Sequence, residues 1–133
     1  MPISDFRDLQ GWQLASSIRE EVIAICANER VAADFRFCNS FLDAAGSVCR
    51  NLSEGFARFE SPQILLFFGY ALASLAEVQD HLEECRARHF IDQRQYEILA
   101  DRAQHAKAAA LKFLRPHRAR AAVRGRPHPR RRR

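Results

Sequence analysis

The 133-residue chain has few residues that interrupt helices. It contains 5 glycines and 5 prolines, and between residues 12 and 114 there are three glycines and a single proline, Pro62. Glycine and proline are the strongest local breaks in regular structure. Alternating runs of β-branched residues, which indicate strands, are absent as well. These absences exclude an all-β domain and predict an all-α body.

Signals for secretion and for a membrane span are also missing. The first residues include Asp5 and Asp8 instead of a basic start followed by an apolar run, so we expect no secretory signal. The longest apolar stretch, from Ile64 to Ala76, is shorter than the ~18 residues that suggest a membrane span. We therefore expect a buried helix there and a cytoplasmic protein without a membrane partner.

The cysteines do not form a pattern that indicates disulfides or zinc. There are 4 cysteines and no CxxC pair, so we expect reduced thiols. His81, Cys85 and His89 are spaced by four along one predicted helix face, but the outer two lie too far apart to chelate one zinc ion. The sequence therefore predicts no metal site. A two-ligand site completed by His105 or by another subunit remains the alternative.

Common catalytic motifs are missing from the chain. There is no GxSxG elbow, no glycine-rich phosphate loop and no HExxH motif. No nucleophile is accompanied by a recognisable base. We expect neither catalytic residues nor a cofactor, and we expect that the protein is not an enzyme.

Acidic residues are absent from the C-terminal part of the chain. Residues 115–133 carry nine arginines and no acid, whereas residues 1–114 carry 12 Lys and Arg against 16 Asp and Glu, so charges of +9 and −4 make up the net +5. Residues 115–133 also contain three prolines and no aliphatic side chain larger than valine. Such a composition cannot bury enough apolar surface to fold. We expect a folded domain over residues 1–114 and a disordered tail over residues 115–133.

An acid-free arginine segment is suited to binding nucleic acid. Each phosphate that an arginine neutralises releases counterions, which gives affinity that is independent of sequence and falls with salt. Arginine also forks onto phosphate and stacks on bases, which favours flexible or single-stranded RNA. The alternative is a tail without function, produced by reading through a GC-rich coding region. The predicted phosphate contacts are Arg115, Arg118, Arg120, Arg124, Arg126, Arg130, Arg131, Arg132 and Arg133.

Four helices are predicted, over residues of about 5–28, 34–56, 61–86 and 92–114. Ser61 followed by Pro62 signals a helix start, and Asp92 with Gln95 resembles a capping box. Gly55 is expected to end the second helix in the left-handed conformation, and Pro116 is expected to end the fourth. The short loops favour antiparallel neighbours and hence an up-down four-helix bundle.

One segment carries a recognisable motif. Residues 44–77, AAGSVCRNLSEGFARFESPQILLFFGYALASLAE, resemble the four-helix bundle family of proteins encoded in intervening sequences of bacterial 23S ribosomal RNA. The stretches FRDLQGWQLA and HFIDQRQYEIL extend the resemblance over residues 6–114. The matching positions are Ser47, Asn51, Glu54, Gly55, Phe56, Arg58, Ala71, Ser74, Leu75 and Glu77.

The resemblance implies an up-down bundle that assembles into a homopentamer. Related proteins include the accessory variability determinant of diversity-generating retroelements, which binds nucleic acid and a reverse transcriptase, so both are implied as partners. Many family members carry two basic residues shortly before the motif serine, where this chain has Phe41, Leu42 and Asp43. The arginine tail is not part of the usual family pattern, so it is the natural candidate for a basic role in this chain.

The polar motif residues have the spacing of one helix face. Ser47, Asn51 and Glu54 are separated by four and three residues. Arg58 is expected to bridge Glu54 and Glu77, with Asn51 satisfying loop backbone groups, so that the cluster locks two helices together. The alternative is a small site for an anion or ligand. For the whole protein, the alternative to nucleic-acid binding is a protein–protein interaction module that presents the apolar third helix.

Overall fold

The computed structural model describes residues 3–125, and the regular structure in that range is entirely helical. A 3-10 turn at Phe6–Asp8 precedes five α-helices. The all-α prediction is therefore confirmed for these residues. The helices are α1 (Gln10–Ala27), α2 (Glu29–Ala32), α3 (Phe35–Phe56), α4 (Ser61–Ala87) and α5 (Gln93–Arg124).

Carboxylate caps begin two of the long helices. The Asp34 carboxylate accepts the backbone N–H of Phe37 at 3.1 Å, and that of Asp92 accepts the N–H of Gln95 at 2.7 Å, as the sequence predicts for Asp92. Asp5, in contrast, caps the 3-10 turn and not α1. The first predicted helix is broken at Leu9, whose backbone is extended and whose side chain is buried in the core.

The prediction that Gly55 ends the second helix is wrong. Gly55 lies inside α3, which continues to Phe56, and its φ is not positive. A Cβ atom at this position would lie 2.6 Å from Cδ1 and 2.9 Å from Cε1 of Phe68. Glycine is therefore needed here because the Phe68 ring of α4 packs directly on the α3 backbone.

The four long helices pack in a closed cycle. Within residues 3–125, α3 packs against α4, α4 against α5, α5 against α1 and α1 against α3. The backbones of the diagonal pairs lie farther apart, and Phe56 of α3 reaches Phe113 of α5 with ring centroids 6.3 Å apart. The largest side chains with almost no exposed surface come from all four: Ile18, Phe41, Phe68, Leu82, Leu99 and Leu114. Burying such side chains contributes about 1.5–3 kcal/mol each to folding, which makes this shared core the main source of stability.

Helix α4 is more apolar than its buried face requires. By length and composition alone it could cross a membrane, yet 39% of its most apolar stretch is buried inside the structure. Leu66 and Tyr70 are about half exposed. Beyond the backbone of α4 itself, no atom in the described part of the chain lies within 4 Å of a Cβ atom placed on Gly69. One face of α4 therefore completes the core, and the opposite face presents apolar side chains outward.

The prediction that Pro116 ends the fourth helix is wrong, because α5 continues through Pro116 to Arg124. Proline removes one hydrogen bond, to the carbonyl of Lys112, which lies at an exposed position where water can replace the bond. Beyond it, His117 Nδ1 lies 3.2 Å from Ser61 Oγ, and Arg124 pairs with Glu60 at 3.1 Å. Residues 115–124 therefore belong to α5 and not to a disordered tail.

Candidate nucleic-acid interface

The C-terminal part of α5 is a basic surface. From Arg102 to Arg124 the sequence contains seven Lys and Arg residues and no acid. Arg115, Arg118 and Arg120 are exposed, and within residues 3–125 none of them forms an ion pair. Their guanidinium groups can therefore meet a phosphate without first breaking an internal pair.

The helix gives these arginines a fixed backbone. Of the nine predicted phosphate contacts, Arg115, Arg118, Arg120 and Arg124 lie on α5, and Arg124 pairs with Glu60. A helix spaces residues by about 1.5 Å, so the first three fall within two turns. The other five, Arg126 and Arg130, Arg131, Arg132 and Arg133, lie outside the described residues.

Of the polar motif residues, the two serines make a contact between α3 and α4, which was not predicted from the sequence. Ser47 Oγ lies 2.7 Å from Ser74 Oγ across the helix interface. Asn51 Nδ2 donates to the Ser47 carbonyl at 2.9 Å and to Ser47 Oγ at 3.0 Å. Both Asn51 hydrogen bonds therefore stay within α3, so the prediction that Asn51 satisfies loop backbone groups is wrong.

The predicted bridge from Arg58 to both Glu54 and Glu77 is wrong at Glu77. Arg58 pairs with Glu54 and lies over the Phe67 ring, 4.8 Å from its centroid. Ser74 faces Ser47 and His81 faces Ser40, so Glu77 lies opposite about residue 44 of α3. That is 14 positions before Arg58, or about 21 Å along a helix. Glu77 is exposed and has no ion pair within residues 3–125.

His81 is built into the α3–α4 interface. Its ring stacks on Phe41 with centroids 5.3 Å apart, Nδ1 lies 2.6 Å from the Glu77 carbonyl oxygen, and Nε2 lies 3.0 Å from Ser40 Oγ. Both ring nitrogens are thus engaged with the protein itself. Across the described part of the chain, no three His, Cys, Asp or Glu side chains are placed to hold a metal ion.

The four cysteines are free and buried. Burial is the main cause that raises the pKa of Cys26 and of Cys85, each to about 12. Cys38 Sγ donates to the Val31 carbonyl at 3.4 Å. Thiolate is the reactive form of cysteine, so these side chains act as core packing groups.

A cleft beside the basic end of α5 was not predicted from the sequence. It has a volume of about 360 Å³ and lies between the start of α1 and the last turns of α5. The residues that form it are about 100 positions apart in the chain, so no local pattern could have revealed it. Its walls include the apolar residues Leu9, Trp12, Phe68 and Phe113 and the polar residues Gln10, Lys112 and His117.

His117 joins the cleft to the end of α4. Its pKa is lowered, first by burial and then by the nearby charge of Arg120, so the ring is neutral at physiological pH. Its Nδ1 atom lies 3.2 Å from the buried Ser61 hydroxyl. Ser61 is the first residue of α4, as its sequence signal predicts, and Glu60 occupies the cap position.

Comparison with known protein families gives a match that covers most of the chain. Residues 7–111 match the family described as 23S rRNA-intervening sequence protein. The chain belongs to this family. The resemblance stated from the sequence motif is thereby confirmed. Comparison with curated proteins and with solved structures returned no match.

The arginines at the end of α5 lie outside the range that matches the family. In this 23S rRNA-intervening sequence protein, the matched range begins before α1 and ends within α5, just ahead of Arg115. The polar contacts of Ser47, Asn51 and Ser74 lie inside it. Arg115, Arg118, Arg120 and Arg124 lie beyond it, on a helical extension.

Proposed function

We propose that this 23S rRNA-intervening sequence protein is a non-enzymatic, cytoplasmic, homopentameric scaffold that binds nucleic acid, mainly RNA, without sequence specificity. The observation that supports it most is the helical extension on which Arg115, Arg118 and Arg120 are exposed and have no ion-pair partner within residues 3–125. Residues 126–133 add five more arginines to the same end. This charge can neutralise several phosphates of one strand.

The scaffold in this proposal is an antiparallel up-down four-helix bundle. Contacts between α3 and α4 pair Asp34 with Arg88, Ser40 with His81 and Ser47 with Ser74, so the residue numbers run in opposite directions. Tyr96 with Glu83 and His117 with Ser61 give the same order for α4 and α5. A pentamer of such bundles would link five basic segments, and linked weak sites bind with avidity.

The proposal is tested by measuring mass and RNA binding together. Light scattering should give a mass near five times the 15.3 kDa of one chain. The logarithm of the affinity for random-sequence RNA should fall linearly with the logarithm of salt concentration, by about 0.7 per phosphate neutralised. A monomer, or affinity that does not change with salt, would contradict the corresponding half of the proposal.

The outer face of α4 favours a second candidate, a protein–protein interaction module. Leu66 and Tyr70 are 49% and 51% exposed and flank Gly69. A glycine inside a helix is destabilising, and beyond its own helix backbone no atom of residues 3–125 lies close enough to require one at position 69. A partner helix that approaches α4 closely would supply a reason for the glycine.

This candidate predicts opposite effects of Gly69→Ala on folding and on association. Without a partner, the alanine should stabilise α4 by about 1 kcal/mol because helix propensity rises and nothing is crowded. With a closely packed partner, the added methyl group should weaken association. Thermal unfolding and light scattering over a concentration series measure the two effects.

Gly11→Ala is the matched control, since its Cβ would make ordinary contacts of 3.6 Å or more and lies away from the outer α4 face. The control should leave association unchanged. If Gly69→Ala stabilises the protein and also leaves association unchanged, no partner packs closely on this face.

A further inference from the structure

We propose that the cleft between α1 and α5 receives one unstacked base of a single-stranded nucleic acid. This inference rests on the proposed nucleic-acid binding. It adds that a single strand carrying bases should bind more tightly than a strand of the same length without bases. It is carried by the walls of the cleft, by its size and by the basic residues on its side of α5, Lys112 and, one turn beyond His117, Arg120.

The walls of the cleft are those of a stacking site. Trp12 of α1 and Phe113 of α5 contribute aromatic rings, and Leu9 adds an aliphatic surface. Trp12 is half-buried and is held edge-on against Phe6, with centroids 5.2 Å apart at 74°. Phe113 is stacked on Phe68 at 4.9 Å. Rings fixed in this way offer a base an aromatic surface at little cost in side-chain entropy.

The polar groups lie where a nucleotide needs them. Gln10 supplies an amide that can both donate to and accept from a base edge, and Lys112 supplies a cation at the wall. Arg120 follows the wall residue His117 by three residues, so it lies one turn further along the same face of α5. A base in the cleft would thus place its own phosphate, or the next one, near Lys112 or Arg120.

The volume sets which form of nucleic acid can enter. About 360 Å³ lies at the small end of the range of ligand sites, about 300–1,000 Å³, and suits one planar ring system. A base can enter only when it is not paired and has left its stack. Flexible single strands meet this condition readily, whereas a duplex must first be opened.

The test compares strands with the same phosphates and different bases. Full-length protein is titrated with an oligothymidylate and with an abasic strand of equal length, each labelled for fluorescence anisotropy. We expect the oligothymidylate to bind about tenfold more tightly, since stacking of one base is worth about 1–3 kcal/mol. Trp12 is the only tryptophan, so its fluorescence should change with the oligothymidylate and not with the abasic strand.

Two variants locate the effect at the cleft. Trp12→Leu removes the stacking surface, and Ala109→Leu fills the cleft from α5 while leaving Trp12 in place, so either should bring the two strands to equal affinity. Tyr70→Leu is the matched control, because it removes an exposed aromatic ring from the outer α4 face. It should retain the tenfold difference. If Trp12→Leu does not fold, Ala109→Leu decides alone.

The outcomes separate this inference from the proposed function. Equal and salt-dependent affinity of the wild-type protein for both strands would overturn the base site and leave nucleic-acid binding intact. A tenfold difference that survives both cleft variants would show that bases are bound elsewhere, and would also overturn it. If neither strand binds, the proposed function fails and the base site fails with it.

Discussion

Removing the arginines at the end of α5 is expected to weaken RNA binding by about a thousandfold at low salt, since several phosphate contacts are lost together. The variant lacks residues 126–133 and carries the substitutions Arg115→Gln, Arg118→Gln and Arg120→Gln. Shortening removes five arginines outside the described residues, and the substitutions remove three exposed charges from the helix. Fluorescence anisotropy with labelled random RNA across a salt series measures the loss.

Glutamine substitution is preferable to ending the chain at Leu114. A chain that ends there would also lose the contact between His117 and Ser61, which closes one end of the α4–α5 pair. The substituted positions are exposed, so the free energy of unfolding should change by less than about 0.5 kcal/mol for each. Loss of binding can then be attributed to charge, provided that the melting temperature is unchanged.

A control of equal charge tests whether position matters. Arg36 and Arg94 are also exposed and also have no ion pair within residues 3–125. Changing both to glutamine removes the same charge as changing Arg118 and Arg120. If RNA contacts the C-terminal part of α5, changing Arg118 and Arg120 should weaken binding, and changing Arg36 and Arg94 should have little effect, since Arg94 lies at the opposite end of α5. Equal losses would mean that RNA senses only the net charge, and no loss from either would exclude the proposed interface.

The features that the sequence predicted correctly are those that depend on near neighbours. Asp92 caps α5 because its carboxylate reaches the N–H of Gln95, three residues away. Ser61 and Pro62 likewise mark the start of α4, which begins at Ser61. The helical fold class and the starts of α3, α4 and α5 are therefore visible in the sequence.

The errors arise where distant residues decide the outcome. Pro116 normally ends a helix, but Ser61 and Glu60 of α4 hold the following turns in place. Glu77 shares a motif with Arg58 but lies at another level of the bundle, a separation that depends on how α3 and α4 pair. The cleft combines Trp12 with Phe113, and only the packing of α1 on α5 brings them together.

Substituting Phe68 by alanine is expected to destabilise the protein by about 3–5 kcal/mol, because the ring is buried and stacked on Phe113. Gly55→Ala is expected to cost about 1–3 kcal/mol, because its methyl group would lie 2.6 Å from Phe68 Cδ1. The gain in helix propensity, about 1 kcal/mol, offsets part of this second cost. Denaturant unfolding of each variant gives the two values.

The double variant distinguishes overpacking from a loss of backbone freedom at Gly55. If the Phe68 ring is what excludes a side chain at position 55, the alanine methyl should fit once the ring is gone, and the double variant should be more stable than the sum of the single effects by about 1–3 kcal/mol. Gly55→Ala combined with Phe41→Ala is the control, since Phe41 is equally buried and lies 14 residues, or about 21 Å, earlier on α3. That pair should be additive. Additivity in both pairs would mean that glycine is required at position 55 by its own backbone, in which case the contact between α3 and α4 does not explain it.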